Sequence, residues 1–187
     1  MNAPNSVTVA RIMLIPVFMV LLLGNVPYGR WWAVLAFSIA AITDSLDGYL
    51  ARRHRQVTVM GQFLDPLADK LLVSAALISL VDLNSLSAWI ATLIISREFA
   101  VSGLRLMAAA RGIVVPAYPL GKAKTVAQVL AIIIWILSGT KLPAWAGDLI
   151  YAAYFLMGIA VALTIVSGFD YFRRLWPLLA DGGINGH

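Results

Sequence analysis

The chain has 187 residues, of which 61% are hydrophobic and 12% are charged, and it contains no cysteine. A soluble domain is nearer half apolar and a quarter charged, so this composition predicts an integral membrane protein, with residues 1–187 forming one domain. The lack of cysteine excludes disulfides and thiol chemistry. The formal net charge of +5 is typical of basic residues at a cytoplasmic membrane surface, and we do not interpret it as nucleic-acid binding.

Six apolar runs are each long enough to cross a bilayer as a helix. They lie roughly at residues 6–23, 31–52, 61–81, 87–109, 121–139 and 145–171. Leu, Ala and Ile dominate these runs without an alternation of period two, which disfavours strands. The sequence therefore predicts an all-α protein with six transmembrane helices. We expect no cleavable signal peptide, because the first run lacks a suitable small-residue cleavage site.

The first predicted helix opens with the segment P-N-S-V-T-V-A-R, residues 4–11. Asn5 is placed to cap this helix, and Thr8 and Arg11 share a face because they are three residues apart. Taken alone, the segment has a simple structural interpretation, an ordinary cap followed by an arginine that extends toward the membrane surface, and the alternative is a binding role. The residues by themselves favour that simpler interpretation.

Four aspartates interrupt the second and third apolar runs. Asp44 and Asp47 are three residues apart in the second run. Asp65 and Asp69 are four apart in the third, so each pair lies on one helix face. An ionised carboxylate inside a bilayer costs several kcal/mol, and no run of intramembrane lysines balances these four. Because carboxylate oxygens favour Mg²⁺, Mn²⁺ or Ca²⁺, the pattern predicts one or two bound divalent cations, the alternative being a structural polar seam between core helices.

Small residues accompany the aspartates. Gly48, Ala51 and Gly61 keep the same helix faces clear, so that backbone and substrate can approach the cations. With Arg52 they complete the spacing D-x2-D-G-x2-A-R-x8-G-x3-D-x3-D over residues 44–69. This spacing resembles the signature of the CDP-alcohol phosphotransferases, and the chain matches it without departure.

That resemblance implies the transfer of a phosphatidyl group from CDP-diacylglycerol to an alcohol, with release of CMP. It also implies a homodimer with the family's fold. Two divalent ions, Mg²⁺ or Mn²⁺, would be held by the four motif aspartates, Asp44, Asp47, Asp65 and Asp69. The family assigns the role of base to the position of Asp69, whereas the sequence alone cannot separate a base from a ligand when all four side chains are the same.

The resemblance also indicates which residues contact the CDP-diacylglycerol donor. Members of the family often begin with P-N-x2-T-x2-R, a pattern that this chain has at residues 4–11. The candidate donor-binding residues are Asn5, Thr8, Arg11, Gly48, Ala51, Arg52 and Gly61.

The fourth apolar run contains the segment R-E-F-A-V-S-G-L-R. It places Arg97 and Glu98 near the middle of the run and Arg105 two helical turns farther on. An arginine in such a position pairs with an acid or faces a polar cavity. One interpretation is a structural ion pair with Glu98. The other is an anion-binding site, because guanidinium donors match phosphate oxygens.

Two lysines lie at the start of the fifth run, in the segment G-K-A-K-T-V-A-Q. Lys122 and Lys124 are also typical of anchors that follow the positive-inside rule. Together with the basic segment of the fourth run, however, they resemble the phosphatidylglycerophosphate synthase branch of the family. That resemblance implies glycerol 3-phosphate as the acceptor, with its phosphate bound by Arg97, Arg105, Arg111, Lys122 and Lys124.

Basic residues are unevenly divided between the two ends of the predicted helices. Arg30 and Lys141 lie at one end and most of the others at the opposite end, which places both termini and the aspartates on the cytoplasmic side. We therefore expect a multi-pass protein of the cytoplasmic (inner) membrane. The competing hypotheses are the same reaction with inositol phosphate, phosphatidylglycerol or serine, and an ion transporter with an acidic seam. A transporter would favour broken helices and internal repeats, neither of which is visible.

Overall fold

The computed structural model describes residues 3–54, 59–112, 119–140 and 148–180, and these form helices and turns without a strand. Side chains are described within these ranges except at residues 3–8, 44–54, 59–66, 119–120, 122, 175 and 177–180. The six helices in chain order are α1 Ala3–Leu23, α2 Gly29–His54, α3 Val59–Asp82, α4 Ala88–Ala110, α5 Pro119–Ser138 and α6 Leu149–Ala180. The all-α prediction is confirmed for the described residues.

Helix α6 differs most from its predicted bounds. The other five helices begin and end within a few residues of the apolar runs, whereas α6 continues to Ala180, well past the predicted end at residue 171. Two contacts between residues four apart support this extension. Arg174 Nε donates a hydrogen bond to Asp170 Oδ1 at 2.8 Å, and the rings of Phe172 and Trp176 stack with centroids 5.1 Å apart.

The number of membrane crossings is a separate matter from the number of helices. Within the described residues one helical stretch, Leu149–Arg174, is long and apolar enough to cross a membrane. Shorter apolar helical segments lie at Val9–Leu23, Gly29–Thr43 and Ala123–Ser138. Six helices are therefore observed, whereas six crossings stay a prediction.

The helices pack through aromatic pairs and through alanines that allow close approach. Phe18 and Phe37 are fully buried, and their ring centroids, 5.6 Å apart, join α1 to α2. Trp135 is buried and meets Tyr154 edge-on with centroids 4.8 Å apart, which joins α5 to α6. Small residues let helices pack closely. The buried alanines include Ala33, Ala40, Ala76, Ala91, Ala131, Ala153 and Ala160.

The arrangement of the last four helices determines where polar side chains meet. Helix α6 packs against both α4 and α5, and α3 contacts the same two helices. Polar residues on the facing sides of α3, α4, α5 and α6 can therefore reach one another, although they are far apart in the sequence.

Truncation of Phe18 tests the packing of α1 against α2. We expect Phe18→Ala to lower the free energy of unfolding by about 3–5 kcal/mol, because it removes a fully buried ring and leaves a cavity. Phe155→Ala is the matched control, since that ring is 70% exposed on α6. Unfolding of the two variants in detergent, followed by circular dichroism, measures the difference. Equal losses of stability would contradict the packing described.

Candidate active site

The four motif aspartates lie on two consecutive helices that contact each other. Asp44 and Asp47 belong to the C-terminal part of α2, and Asp65 and Asp69 belong to the N-terminal half of α3. Helices joined by a short connection pack as antiparallel neighbours. Asp44 lies about ten residues before the end of α2, and Asp69 about ten after the start of α3, so each is roughly 15 Å from the connection. The backbone thus places the two aspartate pairs at similar distances from the connection between α2 and α3.

This placement fits a divalent-cation site by the chemistry of its donors. Each carboxylate offers two hard oxygen ligands of the kind that Mg²⁺ prefers. Only the side chain of Asp69 belongs to the described part, where it is partly buried, and the side chains of Asp44, Asp47 and Asp65 lie outside it. Among the side chains that are described, no group of three or more potential ligands gathers at one point. The metal ions therefore stay a prediction.

Asp69 lies among charged residues from other helices as well as its own. Its carboxylate interacts electrostatically with Lys70, Glu98, Lys124 and Arg11. Arg11 on α1 is 2% exposed, and Lys124 on α5 is 3% exposed. Burial weakens the screening of such interactions by water. The last aspartate of the motif is thus close to basic residues from outside the motif.

Three charged side chains join α4 to α5, and we call them the Arg97–Glu98–Lys124 cluster. Arg97 Nη1 donates to Glu98 Oε1 at 2.9 Å, and Lys124 Nζ donates to the same oxygen. The side chains are 13%, 17% and 4% exposed in that order. A carboxylate shared by two cations holds together groups that would otherwise repel each other. Two cations and one anion leave the cluster with one positive charge.

Helix α6 completes the environment of Arg97. Arg97 Nη2 donates to Ser167 Oγ at 2.8 Å, and the Ser167 hydroxyl in turn donates to the carbonyl oxygen of Leu163. The guanidinium carbon lies 5.9 Å from the centre of the Tyr171 ring, within the range of a cation–π interaction. The Nε of Arg97 is buried and has no hydrogen-bond partner among the described residues.

The structure brings together some of the predicted acceptor residues and separates others. Arg97 and Lys124 meet at Glu98, so the ion pair considered from the sequence is present. Arg105 and Arg111 are exposed near the C-terminal end of α4. Arg11, predicted on the donor side, acts on Asp69. The remaining candidates have side chains outside the described part: Asn5, Thr8, Gly48, Ala51, Arg52, Gly61 and Lys122.

The sequence reasoning missed three polar residues near this cluster. Ser167 and Tyr171 on α6 contact Arg97, as described above. Gln128 lies one turn beyond Lys124 on α5, is 2% exposed, and carries an Nε2 without a partner within the described residues. A usable signal was present in the sixth run, because the polar residues Thr164, Ser167 and Tyr171 recur at spacings of three and four in a largely apolar stretch.

Comparison with known proteins decides the family. A family model described as CDP-alcohol phosphatidyltransferase matches residues 1–166. This chain belongs to the CDP-alcohol phosphatidyltransferase family. The family predicted from the aspartate motif is therefore confirmed.

Relatives in this family are similar over nearly the whole chain. The CDP-diacylglycerol–glycerol-3-phosphate 3-phosphatidyltransferase of Bacillus subtilis is 46% identical, over 95% of this chain and 97% of its own length. The protein of the same name from Rickettsia bellii is 41% identical, over 92% of this chain and 94% of its own length. A probable phosphatidylglycerophosphate synthase of Mycobacterium tuberculosis is 40% identical, over 98% of this chain and 85% of its own length.

Proposed function

We propose that this protein transfers the phosphatidyl group of CDP-diacylglycerol to glycerol 3-phosphate, which yields phosphatidylglycerophosphate and CMP. Family membership supports the type of transfer, and the names of relatives at 40–46% identity support the acceptor. Within the structure, the observation that carries the proposal is that two members of the Arg97–Glu98–Lys124 cluster, Glu98 and Lys124, interact electrostatically with Asp69. This interaction supports a cationic site for an acceptor phosphate within electrostatic range of the last motif aspartate.

The aspartates activate the two substrates in different ways. Asp44, Asp47 and Asp65, with Asp69, would hold two divalent ions, Mg²⁺ or Mn²⁺. Ions bound there would supply positive charge to the donor pyrophosphate and to the departing CMP. Asp69 accepts the proton of the attacking hydroxyl. The hydroxyl oxygen bonds to the phosphorus that carries diacylglycerol, and the bond from that phosphorus to CMP breaks, with its electron pair leaving on CMP.

Arg97 and Lys124 bind the phosphate of the acceptor. Their donors already converge on one anionic oxygen of Glu98, and a phosphate oxygen can share that geometry. A neutral alcohol gains nothing from two cations. Arg105, Arg111 and Lys122 extend the basic set toward the cytoplasm, where glycerol 3-phosphate enters.

The donor contacts the N-terminal helices. Arg11 is buried and interacts electrostatically with Asp69, which supports a role for its guanidinium in binding a phosphate of the nucleotide. The motif residues Gly48, Ala51 and Gly61 leave room for backbone to approach the donor. Asn5, Thr8 and Arg52 complete the set that contacts CDP-diacylglycerol.

The protein works as a membrane enzyme, with six crossings, an active site that faces the cytoplasm, and a homodimeric assembly. The donor is a lipid, so its acyl chains remain in the bilayer during transfer. Every helix exposes large apolar side chains of the kind that lipid covers better than water does. Examples are Val20 at 64% exposure, Ile42 at 59%, Ile78 at 52%, Trp89 at 85%, Val126 at 59% and Phe155 at 70%.

The acceptor is tested with purified protein, CDP-diacylglycerol and one alcohol at a time, by measuring CMP release. We expect release with glycerol 3-phosphate and none with inositol phosphate, phosphatidylglycerol or serine. Faster release with another of these alcohols would assign the protein to a different branch of the family. No release with any acceptor, from protein that is folded and supplied with metal, would favour the transporter hypothesis instead.

Metal dependence is a second expectation. Removal of divalent cations should abolish CMP release, because four carboxylates at one site repel one another and leave the donor pyrophosphate without a counter-charge. Addition of Mg²⁺ or Mn²⁺ should restore it, and sodium chloride at equal ionic strength should not. The measurement is turnover before and after chelation, with residual metal determined by elemental analysis. Full turnover in metal-free protein would refute the proposed metal site.

A further inference from the structure

Arg97 crosses α6 at three residues on one side of that helix, Ser167, Gly168 and Tyr171, which we call the α6 seat. Ser167 accepts a hydrogen bond from Nη2 at 2.8 Å, and the Tyr171 ring lies 5.9 Å from the guanidinium carbon. Gly168 lies between them in the sequence. A methyl group added at Gly168 would come within 3.0 Å of Arg97 Cγ and 3.3 Å of Nε.

The contact at Gly168 leaves little room for a side chain at this position of the helix. Contacts of 3.0 and 3.3 Å are tighter than a Cβ normally makes, so a methyl group at this position requires the side chain of Arg97 to shift by a few tenths of an ångström. Gly158, ten residues earlier in α6, has no such constraint, because a Cβ there meets nothing within 4 Å.

Tyr171 connects the seat to α5 as well as to α4. It is 5% exposed, and its hydroxyl oxygen lies 3.9 Å from the point where a Cβ on Gly121 would be. Gly121 opens the segment that carries Lys124. The seat is therefore in contact with both helices of the Arg97–Glu98–Lys124 cluster, and it begins one residue after the part of the chain that the family model matches.

The contacts of Arg97 hold two of its three nitrogens in fixed directions. Nη1 is directed at Glu98 and Nη2 at Ser167, while the buried Nε has no partner among the residues that the structure describes. A guanidinium held by two partners loses little further conformational freedom when an anion binds to it. Its orientation depends on α6 as much as on the ion pair within α4.

We propose that the α6 seat positions Arg97 for the phosphate of the acceptor, and that Ser167, Gly168 and Tyr171 are positioning residues for the transfer reaction. This inference rests on the proposed function, in which Arg97 binds that phosphate. The seat acts through Arg97. Disturbing it therefore changes the use of glycerol 3-phosphate and leaves the use of CDP-diacylglycerol as it was.

The main test compares Gly168→Ala with Gly158→Ala, the same substitution in the same helix. We expect Gly168→Ala to raise the KM for glycerol 3-phosphate about tenfold, the cost of misplacing one charge-assisted contact. The KM for CDP-diacylglycerol should stay within about twofold of the unaltered protein. Gly158→Ala should leave both constants unchanged.

A second set of variants examines the seat without adding bulk. Ser167→Ala removes the hydrogen bond from Arg97 Nη2, and Tyr171→Leu removes the aromatic ring near the guanidinium. Each variant should raise the KM for glycerol 3-phosphate and have little effect on the KM for CDP-diacylglycerol. Tyr171→Phe keeps the ring, so its KM for glycerol 3-phosphate should be closer to that of the unaltered protein than the KM of Tyr171→Leu is. These variants decide the matter if Gly168→Ala does not fold.

The outcomes separate the seat from the proposed function. Absence of glycerol 3-phosphate-dependent CMP release in the unaltered protein would reject the function itself. The seat does not position Arg97 if the unaltered protein is active and Gly168→Ala has the same KM values as Gly158→Ala. The same conclusion follows if the seat variants raise the KM values for both substrates together. A rise in KM confined to glycerol 3-phosphate, at unchanged melting temperature, supports the proposed role of the seat.

Discussion

Asp69→Asn is expected to lower turnover by at least about a hundredfold and to leave it low at every metal concentration. Loss of a general base typically costs a factor of about 10² to 10⁴. Asparagine keeps the size of the side chain but cannot accept the proton of the attacking hydroxyl. In our proposal Asp69 has this role, and it lies within electrostatic range of Lys124, which binds the acceptor phosphate in the same proposal.

The other motif aspartates should respond differently. In our proposal Asp44, Asp47 and Asp65 chiefly hold metal. Turnover of Asp44→Asn, Asp47→Asn and Asp65→Asn should therefore fall but recover in part when the concentration of Mg²⁺ or Mn²⁺ is raised. Asp82→Asn is the control, because that residue is exposed at the end of α3, away from the motif. The measurement is CMP release across a metal titration. Equal recovery of all four motif variants would remove the distinction between base and ligand.

Lys124→Ala and Arg97→Ala are expected to raise the apparent KM for glycerol 3-phosphate by about tenfold to a hundredfold. One charge-assisted contact is worth about 1.5–3 kcal/mol, and both side chains are largely buried. In Lys124→Ala the Glu98 carboxylate still has Arg97 as a partner at 2.9 Å, so it is not left as an isolated buried charge. The KM for CDP-diacylglycerol should change little.

Variants of two further arginines serve as comparisons for this result. Arg173→Ala alters an exposed residue of α6 and should leave both constants unchanged. Arg105→Ala should have a smaller effect than Arg97→Ala, because Arg105 is exposed and water screens its charge. Steady-state kinetics with each substrate varied in turn distinguish the variants. A rise in the donor KM alone would place Arg97 and Lys124 on the nucleotide, and no change in either would make them structural anchors.

The positions of the helices could be read from the sequence because long apolar runs leave few alternatives. The aspartate motif could be read for a related reason, since carboxylates spaced three and four apart in such runs need a counter-charge. The end of α6 could not be read from the apolar run alone. It depends on side-chain pairs that extend past the run, such as Asp170 with Arg174.

The candidate acceptor site was only partly predictable, because helix rotation decides which basic residues meet. Arg97 and Arg105 are eight residues apart, which turns the helix by about 80° beyond two full turns. Arg97 therefore faces α6, while Arg105 is exposed. The contact of Arg97 with Ser167 joins residues 70 apart in the chain, and no local pattern predicts such a pair. It requires the packing of α4 on α6.

The most direct measurement follows the fate of glycerol 3-phosphate labelled with ³²P. The purified protein, with CDP-diacylglycerol and Mg²⁺ or Mn²⁺, should transfer the label into chloroform-soluble lipid, with one mole of labelled lipid formed for each mole of CMP released. The labelled lipid should have the mass of phosphatidylglycerophosphate. CMP release without labelled lipid would show that the phosphatidyl group goes to water or to another acceptor, and would contradict the proposed transfer.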